Sequence, residues 1–350
     1  MITPSFARLP RAAARAAAAL ACALLLAPSL PASAAEEVNI YSYREPQLIQ
    51  PMLKAFTEAT GIQANLIFAK DGLVERLAAE GRNSPADLLL TNEFGLLTQA
   101  QAAGITQAVK DAALEAAVPP ALRDPEGHWF ALTRRARVIY VAKDRVNLDA
   151  ITYEDLADPK WKGKICTRSG QHTYNVALIA SMIAHHGPEA AEKWLTGVKA
   201  NLARKPSGGD REAIRDVAAG LCDIAIGNTY YYAGMLKNAE QKPIAEKVKL
   251  LFPNASGRGT HVNISGMALA ANAPHKANAL KLMEFLASPM AQKLYAEANG
   301  EYPVSDNVPA NDVVTGFGPL KADQLPLAKI GELRKAASEL ADKVRFDAGP

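Results

Sequence analysis

Val38-Asn39-Ile40-Tyr41 is a short apolar strand, and the residues after it repeat on a different period: Leu48, Ile49, Met52, Leu53 and Phe56. That spacing lays one apolar stripe along a helix, with Pro46 in its first turn and Gly61 just past its end. Residues 62–68 read as a second strand, 73–79 as a second helix and 87–90 as a buried strand. The order strand, helix, strand, helix, strand predicts a parallel sheet with helices on its faces. No Gly-x-Gly-x-x-Gly follows the first strand, which disfavours a dinucleotide-binding domain.

Outward from this start, residues 129–143 read as extended and carry Arg135 and Arg137 at alternate positions. A second alternation follows. Cys166 falls on a strand, 174–185 and 189–198 are helices, Asp210 caps a helix running to Ala219, and 223–226 is a strand. Residues 263–271 read as a strand and 277–286 as an amphipathic helix. Two α/β sheets joined by long extended segments predict two lobes connected by strands that act as hinges.

The first residues are read as an export signal, not as structure. Arg8, Arg11 and Arg15 precede the apolar stretch 16–27, and Ala32-Ser33-Ala34 supplies the small-x-small cleavage pattern, so residues 1–34 are expected to be removed. Cys22 lies inside the apolar stretch with Leu20 one place off a lipobox position, which disfavours a lipoprotein. Removing 34 residues from 350 leaves about 316, a length that favours two domains. The formal charge of +3 includes three arginines of the signal, so the remainder is nearly neutral, which argues against a nucleic-acid binder. Cys166 and Cys222 both sit in short apolar runs that read as strands. An even count in an oxidising compartment favours a disulfide over two buried thiols.

The least ordinary segment is Gly227-Asn228-Thr229-Tyr230-Tyr231-Tyr232, where an apolar strand gives way to a helix. Open α/β sheets place ligands at such strand ends. A lone tyrosine is most often packing, but this run holds three of the chain's ten. Phenolate is a hard anionic donor suited to a hard trivalent cation, and a bound metal can ionise a phenol that titrates near ~10 in water. Three phenolates would cancel the charge of ferric iron and leave coordination positions for an anion or water.

Tyr41-Ser42-Tyr43-Arg44, Ser84-Pro85-Ala86-Asp87, Thr133 to Tyr140, Arg168-Ser169, Tyr174-Asn175, Lys205 to Arg211 and Gly227 to Tyr231 occur in an order and spacing that resembles the ferric-ion-binding proteins of bacterial ABC importers. The resemblance implies the two-lobed type II periplasmic binding fold, with lobes of 35–136 plus 258–305 and 137–257 plus 306–350. It implies ferric iron held by Tyr174, Tyr230 and Tyr231, with Tyr232 as a packing neighbour. It also implies a synergistic anion, carbonate or bicarbonate, held by Arg44 and Arg135 with Arg137 as a further contact, because guanidinium presents a planar fork to an oxyanion. An inner-membrane permease and its ATPase would be the partners of a periplasmic, monomeric carrier that is not an enzyme. Many members of the family it resembles have histidine and tyrosine after the first arginine, whereas this chain has Glu45 and Pro46. The alternative within the same fold is a binder of a polyamine, thiamine or a phosphonate. No Gly-x-Ser-x-Gly or His-Glu-x-x-His supports a hydrolase.

Overall fold

A computed structural model of the protein describes residues 36–305 and 307–350; the expected export signal lies outside them. Among the described residues, nine strands form: β1 (Glu37–Ser42), β2 (Gln63–Phe68), β3 (Leu88–Thr91), β4 (Phe130–Ala142), β5 (Ile165–Cys166), β6 (Ile224–Asn228), β7 (Val248–Leu251), β8 (Val262–Leu269) and β9 (Tyr302–Pro303). β1 pairs in parallel with β2 on one side, Ile40 opposite Leu66, and with β3 on the other, Ile40 opposite Leu88. All four residues of β3 are buried, as expected for a parallel strand covered on both faces. The helix Pro46–Thr60 buries Ile49, Met52, Leu53 and Phe56, and Gly61 ends it in the left-handed region at φ +75°. Leu73–Glu80 forms the next helix. Among the described residues, no helix is long and apolar enough to cross a membrane.

β4 decides the architecture, because its thirteen residues change partner midway. Up to Ala136, which faces Val262, it pairs antiparallel with β8; from Arg137, which faces Asn228, it pairs with β6 and then also with β7. The path β2-β1-β3-β8-β4 therefore continues into β4-β6-β5 through one uninterrupted strand. β5 and β6 run parallel, with Cys166 opposite Ala225, so the second half repeats the α/β logic of the first.

Three details differ from the sequence reading. Cys222 bonds to Cys166 with a Cα–Cα distance of 5.9 Å, but it sits in the turn before β6, not in a strand. Gly220 at φ +82° opens that turn and leaves Leu221 half exposed, so the apolar run is not continuous with the strand. Asp210 begins the helix Asp210–Ala218 without capping it. Its carboxylate turns inward to Arg137 and to the Asn228 amide, while Glu212 reaches back to the Gly209 amide at 3.0 Å. Finally, a seventeen-residue helix, Leu327–Lys343, buries Ile330, Ala337, Leu340 and Ala341 and packs against the helix Thr173–His186. From it, Arg334 donates to Glu93 at 3.1 Å and to Thr173 at 2.7 Å.

Candidate metal centre

β6 is buried throughout and ends where the three tyrosines begin. Gly227 is required there: a Cβ at that position would lie 2.3 Å from the Tyr140 ring. The approach lets the Tyr140 hydroxyl donate to the Asn228 carbonyl at 2.5 Å, which fixes the strand end. Thr229 then starts the helix Thr229–Lys237. Successive helical residues turn by about 100°, so three consecutive tyrosines must point in different directions. Tyr232 faces inward, donating to the Val248 carbonyl at 2.7 Å and packing on Tyr140 and Phe317. Tyr230 and Tyr231 instead line a cavity of about 380 Å³ with their ring centroids 4.2 Å apart.

Tyr174 arrives from β5, on the first turn of the helix Thr173–His186, where the His172 ring accepts its amide at 3.2 Å. Its hydroxyl lies 3.2 Å from that of Tyr230. The three tyrosines expected as iron ligands thus line one cavity, and Tyr232 does not. A larger hollow of about 1070 Å³ lies between the helix Pro46–Thr60 and β2, but its walls gather no comparable set of donors. Among the described residues, no group of three or more His, Cys, Asp or Glu side chains is placed to hold a metal ion; the hard anionic or ionisable oxygens on this cavity's wall are the phenols and the carboxylates of Glu45 and Glu301.

Burial pushes the Tyr230 phenol well above its ordinary range, Tyr174 and Tyr231 push further, and the Arg135 charge works against them. Tyr231 is raised by burial and by Tyr174, with Arg168 opposing. Guanidinium groups surround the cluster: Arg168 stands 5.1 Å and Arg135 5.5 Å from the Tyr174 ring, and Arg211 4.8 Å from the Tyr231 ring. Burial thus favours the neutral form of Tyr230 and of Tyr231, while a nearby cation favours the phenolate.

Across the cavity, Arg44 and Arg135 converge on Glu301. Arg44 forms a two-pronged pair with it, 2.8 Å and 3.1 Å, and Arg135 approaches at 3.5 Å. Thr133 donates to the same carboxylate at 2.9 Å. All three charged groups are at most 3% exposed. Burial alone would raise the Glu301 carboxyl, but Arg44 first, then Arg135 and Thr133, outweigh it and hold the group below its usual range. Arg137 does not line the cavity: Asp210 at 2.7 Å, Asn175 at 2.7 Å and Asn228 at 3.1 Å take its guanidinium behind Tyr174. Glu45 does line it, exposed and accepting from Gln47. Sequence reasoning missed Glu301 altogether, and it missed Arg168 and Arg211 as neighbours of the phenols.

A family model described as bacterial extracellular solute-binding protein matches residues 83–316. The iron uptake protein A1 of Synechocystis is 43% identical over 312 residues, covering 88% of this chain and 87% of its own. A solved Bordetella ferric binding protein is 55% identical, with a TM-score of 0.85 over 89% of this chain and all of that one. A Trichodesmium protein, solved with iron and citrate ligands, is 44% identical with a TM-score of 0.85 over 89% of this chain and 99% of its own. The fold is the two-lobed periplasmic binding type that these neighbours share. A match across two thirds of the chain, with relatives at this identity, means that the chain belongs to the bacterial extracellular solute-binding protein family.

Proposed function

We propose that this protein captures ferric iron in the periplasm and delivers it to an inner-membrane ABC importer, with Tyr174, Tyr230 and Tyr231 as the iron ligands. The observation that carries the reading is the convergence of these three phenols in one cavity, two hydroxyls 3.2 Å apart. Export through the signal 1–34, a permease and ATPase as partners, and work as a monomer belong to the same reading. An oxyanion, carbonate or bicarbonate, completes the coordination shell, held by Arg44 and Arg135 on the opposite wall. Arg137 supports it from behind, through the Asp210 and Asn228 contacts that fix the strand end before Tyr230.

Lobes of 35–136 plus 258–305 and 137–257 plus 306–350 are supported by the change of β4 partners between Ala136 and Arg137. Ligand bound between two such lobes selects the closed arrangement by contacting both. Iron-free protein mixed with ferric citrate tests the proposal. A visible phenolate-to-iron charge-transfer band is expected, and a colourless protein that binds a phosphonate or polyamine would refute it.

A further inference from the structure

The two arginines that face the tyrosines are not a bare cationic pair. Their common neighbour Glu301 is 257 residues from Arg44 in sequence, yet it is fixed by both guanidinium groups and by Thr133. A carboxylate offers about four acceptor sites, and two guanidinium groups about ten N–H donors. The Asn92 and Ile264 carbonyls take Arg135 Nη2, and the buried Nε–H of each arginine is left without an acceptor. Arg44, Arg135 and Glu301 all line the cavity, so an oxyanion taken up there would lie beside the resident carboxylate. Its charge is already reduced, since two cations and one anion leave a net of +1 on these three groups. Glu45 and Arg211, the other charged residues on the wall, are exposed and opposite in sign, so solvent screens them and they offset each other.

We infer that Glu301 sets the charge of the co-ligand taken with iron: while it is present, the subsite selects a singly charged oxyanion, such as hydrogen carbonate or a monocarboxylate, over a doubly charged one. This rests on the reading of the cavity as an iron and oxyanion site. Electrostatic matching of this kind acts on selection between ligands of like shape, because the mismatched ligand leaves charge unbalanced in a buried place. Glu301 is thus a specificity residue that need not touch the metal.

Oxamate and oxalate are near in shape and differ by one charge, so they make the test. Ferric-loaded protein is titrated with each, and the half-saturating concentrations are read from the shift of the visible band. In Glu301→Gln the oxalate-to-oxamate preference should rise about tenfold or more over the wild type, whereas Glu301→Asp, which keeps the charge, should retain the wild-type ratio. A merely structural role for Glu301 would change both concentrations together and leave the ratio alone. Glu301→Leu, which also removes the charge, should shift the ratio in the same direction and serves as the test if Glu301→Gln does not fold. An unchanged ratio in a folded Glu301→Gln or Glu301→Leu protein overturns the inference while leaving the iron reading intact. A wild type that never colours with iron defeats that reading, and the inference falls with it.

Discussion

Tyr230, Tyr231 and Tyr232 are chemically identical and adjacent, yet the fold turns the first two to the cavity and the third to the core, and hydroxyl removal separates the two settings. Tyr232→Phe deletes the donor that reaches the Val248 carbonyl at 2.7 Å inside the core. A buried carbonyl stripped of its partner costs about 1–3 kcal/mol. For a chain of this size that corresponds to a melting temperature lower by roughly 2–6 °C. Iron binding should be unchanged, because that hydroxyl faces away from the cavity. Tyr230→Phe should do the reverse. Its hydroxyl meets the Tyr174 hydroxyl and the cavity, so the melting temperature should move little. The loss of a direct anionic ligand should weaken ferric binding by more than the ~10–100-fold that follows loss of a supporting residue. Visible absorption against ferric citrate and thermal melting of the iron-free proteins give both readouts from one preparation. If Tyr232→Phe bleaches the protein and Tyr230→Phe stays coloured, the register of the run is wrong by one and the argument from helix rotation fails.

The disulfide gives a second prediction: denatured, unreduced protein should titrate no free thiol from Cys166 and Cys222, and replacing both with serine should cost about 4 kcal/mol in the chain-entropy account of a loop spanning 56 residues. The third concerns acid. Burial raises the Glu154 carboxyl, but hydrogen bonds from Asn254 and Arg258 and the Arg258 charge outweigh it and hold the group at about 2, down from 4.5. A depressed carboxyl contributes stability that is present above its unfolded value and lost as pH falls. Melting temperature should therefore fall between pH 4.5 and about pH 2 more steeply in the wild type than in Glu154→Gln, and equal slopes would dismiss the Glu154 contribution.

The fold was legible wherever a signal is local. Apolar spacing at Leu48 to Phe56, with Pro46 before and Gly61 after, marks a helix through rules that need only the nearest turn. The run at 227–232 was legible for the same reason, since strand end, helix start and donors are contiguous. Asp210 shows where this stops. An aspartate before a helical pattern reads as a cap, but a buried guanidinium outcompeted the backbone amides for its carboxylate. Glu301 had no local signal at all: it follows the helix Pro289–Asn299 at a left-handed Gly300, a setting typical of any surface glutamate. Only the return of the chain to β4, through β9 pairing with Thr133 and Arg134, brings it to Arg44 and Arg135.

The tyrosine cluster follows from strand geometry more than from the tyrosines themselves. Cys166 and Cys222 each lie eight residues before a proposed ligand, Tyr174 and Tyr230. Their segments enter side by side, since β5 and β6 are parallel neighbours with Ile165 opposite Ile224. Both chains turn into helices at the same edge of the sheet, so the first turn of each presents its tyrosine to the same space. The disulfide ties the two segments at the opposite end, where a relative slide would otherwise carry one hydroxyl away from the other. Antiparallel β4, lying against β6, contributes Arg135 near the point where it changes partners. A strand shared by both halves thus carries a cation that stands 5.5 Å from the Tyr174 ring and 6.0 Å from the Tyr230 ring, and a change in the angle between the halves would alter those distances. On the proposed reading, metal and anion held at that junction would be coupled through β4 to the closing of the protein, with no further signalling element required.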